Sequence, residues 1–158
     1  MNLSLCINST DESEDSDNAN PDYPYINKIA EVLEDELLKI YPISKNYELA
    51  EISITFMKPE EIRTLNREYR DVDEATDVLS FPMDINENMP VLILGDIVIC
   101  KKEVERLHPE LDSQEAMCLM IAHSFLHLTG YDHDTEEKQI KMWKIQDEIK
   151  NRMLEAIR

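Results

Sequence analysis

The sequence predicts an α+β fold: a single compact domain over residues 1–158, with a small mixed β-sheet packed with helices and a three-histidine metal site on a central buried helix. Three observations predict it. At 158 residues and 18.5 kDa the chain has room for one domain. Short runs of alternating apolar residues, which read as strands, are interspersed with apolar stripes of helical period. One late stretch is apolar on every face, which a helix tolerates only where it runs through a core.

The elements follow in order. Leu3 to Ile7 alternates as a short strand, and residues 9–20, rich in Ser, Asn, Asp and Glu, read as a mobile acidic loop. Between Tyr25 and Tyr41, Ile26, Ile29, Leu33, Leu37 and Ile40 form a helical stripe that Pro42 stops. Glu48 to Met57 alternates through Leu49, Ile52, Ile54 and Phe56 as a strand. Pro59 suits the first turn of the next helix, whose Ile62, Leu65 and Tyr69 are expected to face inward. Val78 to Phe81 is a short buried strand ended by Pro82, and Val91 to Cys100 is another with Gly95 inside it, as a close approach or a bulge in an edge strand. Asp112 and Glu115 have the spacing of a capping box, Ala116 to Ala122 is the wholly apolar stretch, and Gly130 suits the helix end. Asp134 and Glu137 are expected to cap a last helix with Met142, Ile145, Ile149 and Met153 inside, giving one layer of helices on one of sheet.

Charge narrows the function classes. The 34 acidic against 16 basic residues give a net charge of −18, and six of the acids precede the first base, Lys28. Such a chain does not hold nucleic acid as a generic polycation does, and DNA is not expected as a partner. Any RNA role must rest on a local basic patch or a metal. No apolar run approaches the ~20 residues of a membrane span, and an N-terminus without early Lys or Arg does not resemble a secretory leader. Cys6, Cys100 and Cys118 are odd in number and lack a CxxC pair, which fits a reducing, cytoplasmic setting and argues against a thiolate-held zinc.

Three of the four histidines fall within eleven residues, His123-Ser-Phe-Leu-His127-Leu-Thr-Gly-Tyr-Asp-His133. Residues four apart on a helix lie one above the other, so His123 and His127 can share an ion, and a chain reversal at Gly130 can return His133 to it. Three imidazoles leave a fourth tetrahedral position for water, as catalytic zinc sites do. Metalloproteases with this histidine spacing place Glu directly after the first His as general base, whereas here Ser124 stands there and cannot take that proton at neutral pH.

HSFLHLTGYDH resembles the H-G-x-L-H-L-x-G-Y-D-H signature of the bacterial YbeY family of endoribonucleases and ribosomal RNA maturation factors. LNREYR from Leu65, TDVLSFP from Thr76 and LGDI from Leu94 extend the resemblance over residues 65 to 133. It implies an α+β domain with one zinc ion per chain held by His123, His127 and His133, and action on single-stranded rRNA. Maturation of the 3′ end of small-subunit 16S rRNA, ribosome quality control and association with the ribosome or its small subunit are implied with it. Arg70 falls where the family keeps an arginine near the metal, while Ser124 replaces the usual glycine and narrows the space beside the first ligand.

The same residues also have a physical reading. Phosphodiester cleavage builds negative charge that a guanidinium can meet in a fork, which makes Arg70 the candidate catalytic residue. Arg63, Arg67 and Arg70 share a helix face, either as phosphate contacts or paired with nearby acids. Thr76, Asp77 and Ser80 either line the cleft or satisfy a strand end, and Lys138, Lys141 and Lys144 read as a solvated face. Asp132 or Asp134 is placed to accept from a ligand imidazole, or to cap the last helix. Two other functions remain open: a zinc metallopeptidase-like hydrolase, and a non-catalytic ribosome-assembly factor whose structural zinc takes His108 as fourth ligand.

Overall fold

The computed structural model describes residues 2–9 and 25–158, so the acidic loop expected over residues 9–20 lies outside the described residues except for Ser9. The elements are β1 (Asn2–Ser9), α1 (Ile26–Ile40), a 3-10 turn at Pro42–Asn46, β2 (Leu49–Phe56), α2 (Pro59–Arg70), β3 (Val78–Pro82), β4 (Val91–Ile99), α3 (Lys101–Leu107), α4 (Ser113–Leu128) and α5 (Glu136–Ile157). The four strands form one mixed sheet in the order β1-β2-β4-β3, with β1, β2 and β4 parallel and β3 antiparallel at one edge. This is the α+β domain that the sequence predicts. The short helix α3 was not anticipated, because seven residues give too little period to read.

Alternation sorts the sheet residues into two faces. Ala50, Ile52, Ile54 and Phe56 of β2 join Leu92, Leu94, Ile97 and Ile99 of β4 against Ile29, Leu33 and Leu37 of α1 and the inner faces of α4 and α5. Each of these leucine, isoleucine and phenylalanine side chains contributes about 1.5–3 kcal/mol by leaving water. The other face is not bare: Ile62 of α2 packs there on Leu79, Val98 and Cys100, so helices lie on both faces and the expected two-layer arrangement is corrected. Tyr69 is a second correction. It follows Ile62 by seven residues and so shares its side of α2, but it reaches only the edge strand β3 and is not buried. Its ring rests edge-to-face on Phe81 and is otherwise 64% exposed. Asn66 takes the inward place, donating to the Glu74 carbonyl at 2.9 Å.

Gly95 marks a bulge in β4, which is an interior strand and not an edge. Glu51 pairs with Ile93 and Ile52 with Gly95, so Leu94 is the extra residue, and the core-facing positions shift from 92 and 94 to 97 and 99. At φ +143°, with a Cβ there colliding with the Phe81 carbonyl and lying 2.9 Å from Leu128, Gly95 lets β3 and the end of α4 close together. Along α4 ten residues between Ala116 and Leu128 are buried, as the apolar run predicts. Its cap is half of the expected box: Asp112 accepts from the Glu115 amide at 2.8 Å, but the Glu115 carboxylate reaches Lys150. The last helix is capped by Thr135 and not by Asp134, which pairs with Lys138 at 3.3 Å.

Candidate metal centre

His123 and His127 project one turn apart from the end of α4. The helix closes with Thr129, Gly130 turns at φ +99°, and the Tyr131 amide returns to the Leu126 carbonyl at 2.9 Å, which brings His133 back beside them. One ring nitrogen from each of the three lies within 4.8 Å of the others. The Nε2 atoms of His123 and His127 are 3.2 Å apart. Two ligands held about 2.0–2.1 Å from a tetrahedral zinc sit about 3.3 Å from each other, so the pair is already at ligand spacing.

The outward nitrogens set the tautomers. His127 Nδ1 lies 3.1 Å from the Tyr131 carbonyl, which can only accept, so Nδ1 carries the proton and Nε2 keeps its lone pair for the centre. His123 Nδ1 meets Gln146 Oε1 at 2.8 Å in the same sense. Burial holds the His123 imidazole below its ordinary pKa against the opposing Gln146 bond. Burial also lowers His127, reinforced by His123 and His133. Neutral rings with converging lone pairs are the donor set that zinc takes.

Asp132 and Asp134 do not serve the imidazoles. Asp132 accepts from the His133 amide at 2.7 Å and so pins the loop. The residue missed was Gln146, and the signal was there: it sits four residues after Met142 and three before Ile149, a polar side chain on the inward face of the last helix.

The centre opens into a cleft of about 490 Å³ whose walls include Arg70, Val78, Ser80 and Pro82 along with the three histidines. Ser124 is fully buried and is not part of its wall, so the residue beside the first ligand leaves the cleft unnarrowed. Odd-numbered residues of β3 bond β4, through Asp77 O to Cys100 N and Met83 N to Leu94 O, so the Ser80 carbonyl points to the free edge. Arg70 Nη2 donates to it at 2.9 Å. The other two arginines of the stripe go elsewhere: Arg63 and Arg67 converge on Asp73 at 3.0 and 3.8 Å. The Arg63 hydrogen bond holds the Asp73 carboxyl below the usual range. Arg70 has no carboxylate within ion-pair distance among the described residues, and its remaining donors stay available.

Asp77 satisfies the strand end, accepting from the Val78 amide at 2.8 Å and from Thr76 at 3.2 Å. Its other oxygen meets His108 Nε2 at 2.9 Å, which commits His108 to Asp77 and not to the metal group.

The comparisons with known proteins agree with this arrangement. The sequence model of the family described as Endoribonuclease YbeY matches residues 10–154. A Bacillus cereus (strain G9842) protein named Endoribonuclease YbeY is 37% identical over 160 residues, covering 93% of this chain and 95% of the relative. Relatives of the same name from Bacillus thuringiensis (strain Al Hakam) and Bacillus anthracis (strain CDC 684 / NRRL 3495) are 36% identical with the same coverage. The solution structure of a protein from Thermotoga maritima superposes with a TM-score of 0.54 at 24% identity, covering 95% of this chain and 89% of that one, and shows the same fold.

Proposed function

The chain belongs to the YbeY endoribonuclease family, and from that premise we propose that it is a zinc-dependent endoribonuclease of single-stranded rRNA. Its expected tasks are maturing the 3′ end of small-subunit 16S rRNA and ribosome quality control in the cytoplasm. The observation that carries the reading is that one cleft holds both the three histidines and an arginine with no acidic partner among the described residues.

His123, His127 and His133 would hold the zinc, which when bound supplies a Lewis acid and an activated water at neutral pH. Gln146 and the Tyr131 carbonyl fix the two helical imidazoles in the ligating tautomer. Arg70, tethered to Ser80, points its free N–H donors at the developing charge on the phosphate oxygens. Val78 and Pro82 supply an apolar part of the wall of the same cleft.

Three features disfavour the other readings. No acid follows the first ligand, and Arg70 occupies the edge carbonyl along which an extended peptide would add to β3. For the structural-zinc reading, the fourth ligand it needs, His108, is bound to Asp77.

The test is a labelled RNA carrying the single-stranded 3′ end of small-subunit rRNA. We expect cutting by the purified protein, loss with chelator and recovery on adding zinc back. Cutting that survives chelation overturns the metal reading. Arg70→Ala is expected to lower kcat by about 10²–10³ with a smaller change in KM.

A further inference from the structure

We infer that Tyr69 is a stacking platform for an unpaired nucleobase beside the reacting phosphate. This rests on the reading of the cleft as an RNA site. Three observations converge on the ring. It is 64% exposed, although its place on the inward side of α2 would normally bury it. It is not loose: it stands edge-to-face with Phe81, centroids 5.3 Å apart and planes at 73°. A ring already held by a neighbour loses little conformational freedom when a base stacks on it.

The third observation is that the sequence neighbours of both rings line the cleft. Tyr69 is followed by Arg70, and Phe81 stands between Ser80 and Pro82; Arg70, Ser80 and Pro82 are all cleft walls, and Arg70 is bonded to the Ser80 carbonyl. Neither ring lines the cleft itself: Phe81 alternates onto the α2 face of the edge strand, so the aromatic pair stands across β3 from Ser80 and Pro82, one residue along the chain from the guanidinium. A phosphate on Arg70 would leave the adjoining base within reach of Tyr69.

The charge of the molecule explains why an aromatic ring suits this task. With a net charge of −18, and with Arg63 and Arg67 both drawn to Asp73, phosphate attraction alone gives this surface little hold on RNA. Stacking is indifferent to that charge and to base identity, since every base has a π face. It demands only that the base be unpaired.

The test is binding of the metal-loaded full chain to a short labelled oligonucleotide. Its 2′-O-methyl groups and phosphorothioate linkages resist both water and 2′-hydroxyl attack. Tyr69→Leu keeps an apolar cover on Phe81 and is expected to weaken binding by about 5- to 150-fold, whereas Tyr69→Phe stays within about twofold of wild type. A thermal melt checks that both variants are folded. Removing single bases in turn is expected to reveal one abasic position at which Tyr69→Leu adds no further loss. Wild-type binding of Tyr69→Leu, or equal losses in the Phe and Leu variants, overturns the platform and leaves the patch to a protein partner. Losses that multiply at every abasic position overturn it too. If the wild type itself fails to bind at low salt, the RNA reading falls first and the platform with it.

Discussion

A methyl group added to each of the two glycines separates their roles. At Gly95 it meets the Phe81 carbonyl and a Leu128 methyl in a backbone that side chains rarely adopt, so β3 would have to move and the Leu128 side chain give way. At Gly130 it meets nothing within 4 Å, and only the positive φ opposes it. Gly95→Ala is expected to cost at least about 2 kcal/mol and Gly130→Ala about 1 kcal/mol, read from urea unfolding. Similar costs for the two would contradict the close approach at Gly95. Ser124 offers the reverse case: its hydroxyl is buried and has no partner among the described residues. Ser124→Ala should leave stability unchanged or raise it by up to about 1 kcal/mol, and a loss would reveal a partner for the hydroxyl. That His123, His127 and His133 would meet was legible from their spacing, and that Arg70 lies in the same cleft was legible from the family resemblance. Gln146 left only the signal of a polar side chain on the inward face of α5, and its partner His123 is visible only once α5 is laid beside α4.

Two packed helices build the site, and their docking decides its precision. Residues of α4 and α5 meet through Met142, Ile149 and Met153, which also brings Gln146 to His123. Arg152 ties α5 to Asp35 and Glu36 of α1. Gln146→Leu keeps the volume and removes the acceptor, so it is expected to lower zinc affinity about 10- to 100-fold in a competition titration, with the fold intact by circular dichroism. Unchanged affinity would show that helix packing alone orients the imidazole. The strands and the long helices were readable from their periods because each buries one continuous stripe. The errors fall where neighbours override the local pattern. Tyr69 rests on Phe81 and stays exposed, Thr135 outcompetes Asp134 as cap, and the Gly95 bulge belongs to an interior strand because β2 and β3 pair on either side of β4. Strand order depends on contacts between distant segments, and periodicity carries no record of them.

Across the whole molecule, charge and proton binding set the working conditions. Because the metal-free fold holds His123 and His127 below their ordinary pKa, the unfolded chain binds the extra protons. The stability contributed by the neutral rings is complete above about pH 6.5 and is lost as pH falls through the lowered folded values. The melting temperature of chelated protein should therefore drop between about pH 7.5 and 5.5. The drop should be shallower in His123→Gln, and an equal slope would contradict the assignment. The net charge of −18 makes a second demand: affinity for naked RNA at physiological salt should be weak, with a salt slope reporting only a few phosphate contacts. Tight binding there would remove the need for the ribosome as partner. The most direct measurement compares wild type and His127→Ala, purified side by side, on the same labelled single-stranded rRNA 3′ end. Cutting by the wild type alone is the predicted result, and equal cutting by both would contradict a metal-dependent nuclease built on these three histidines.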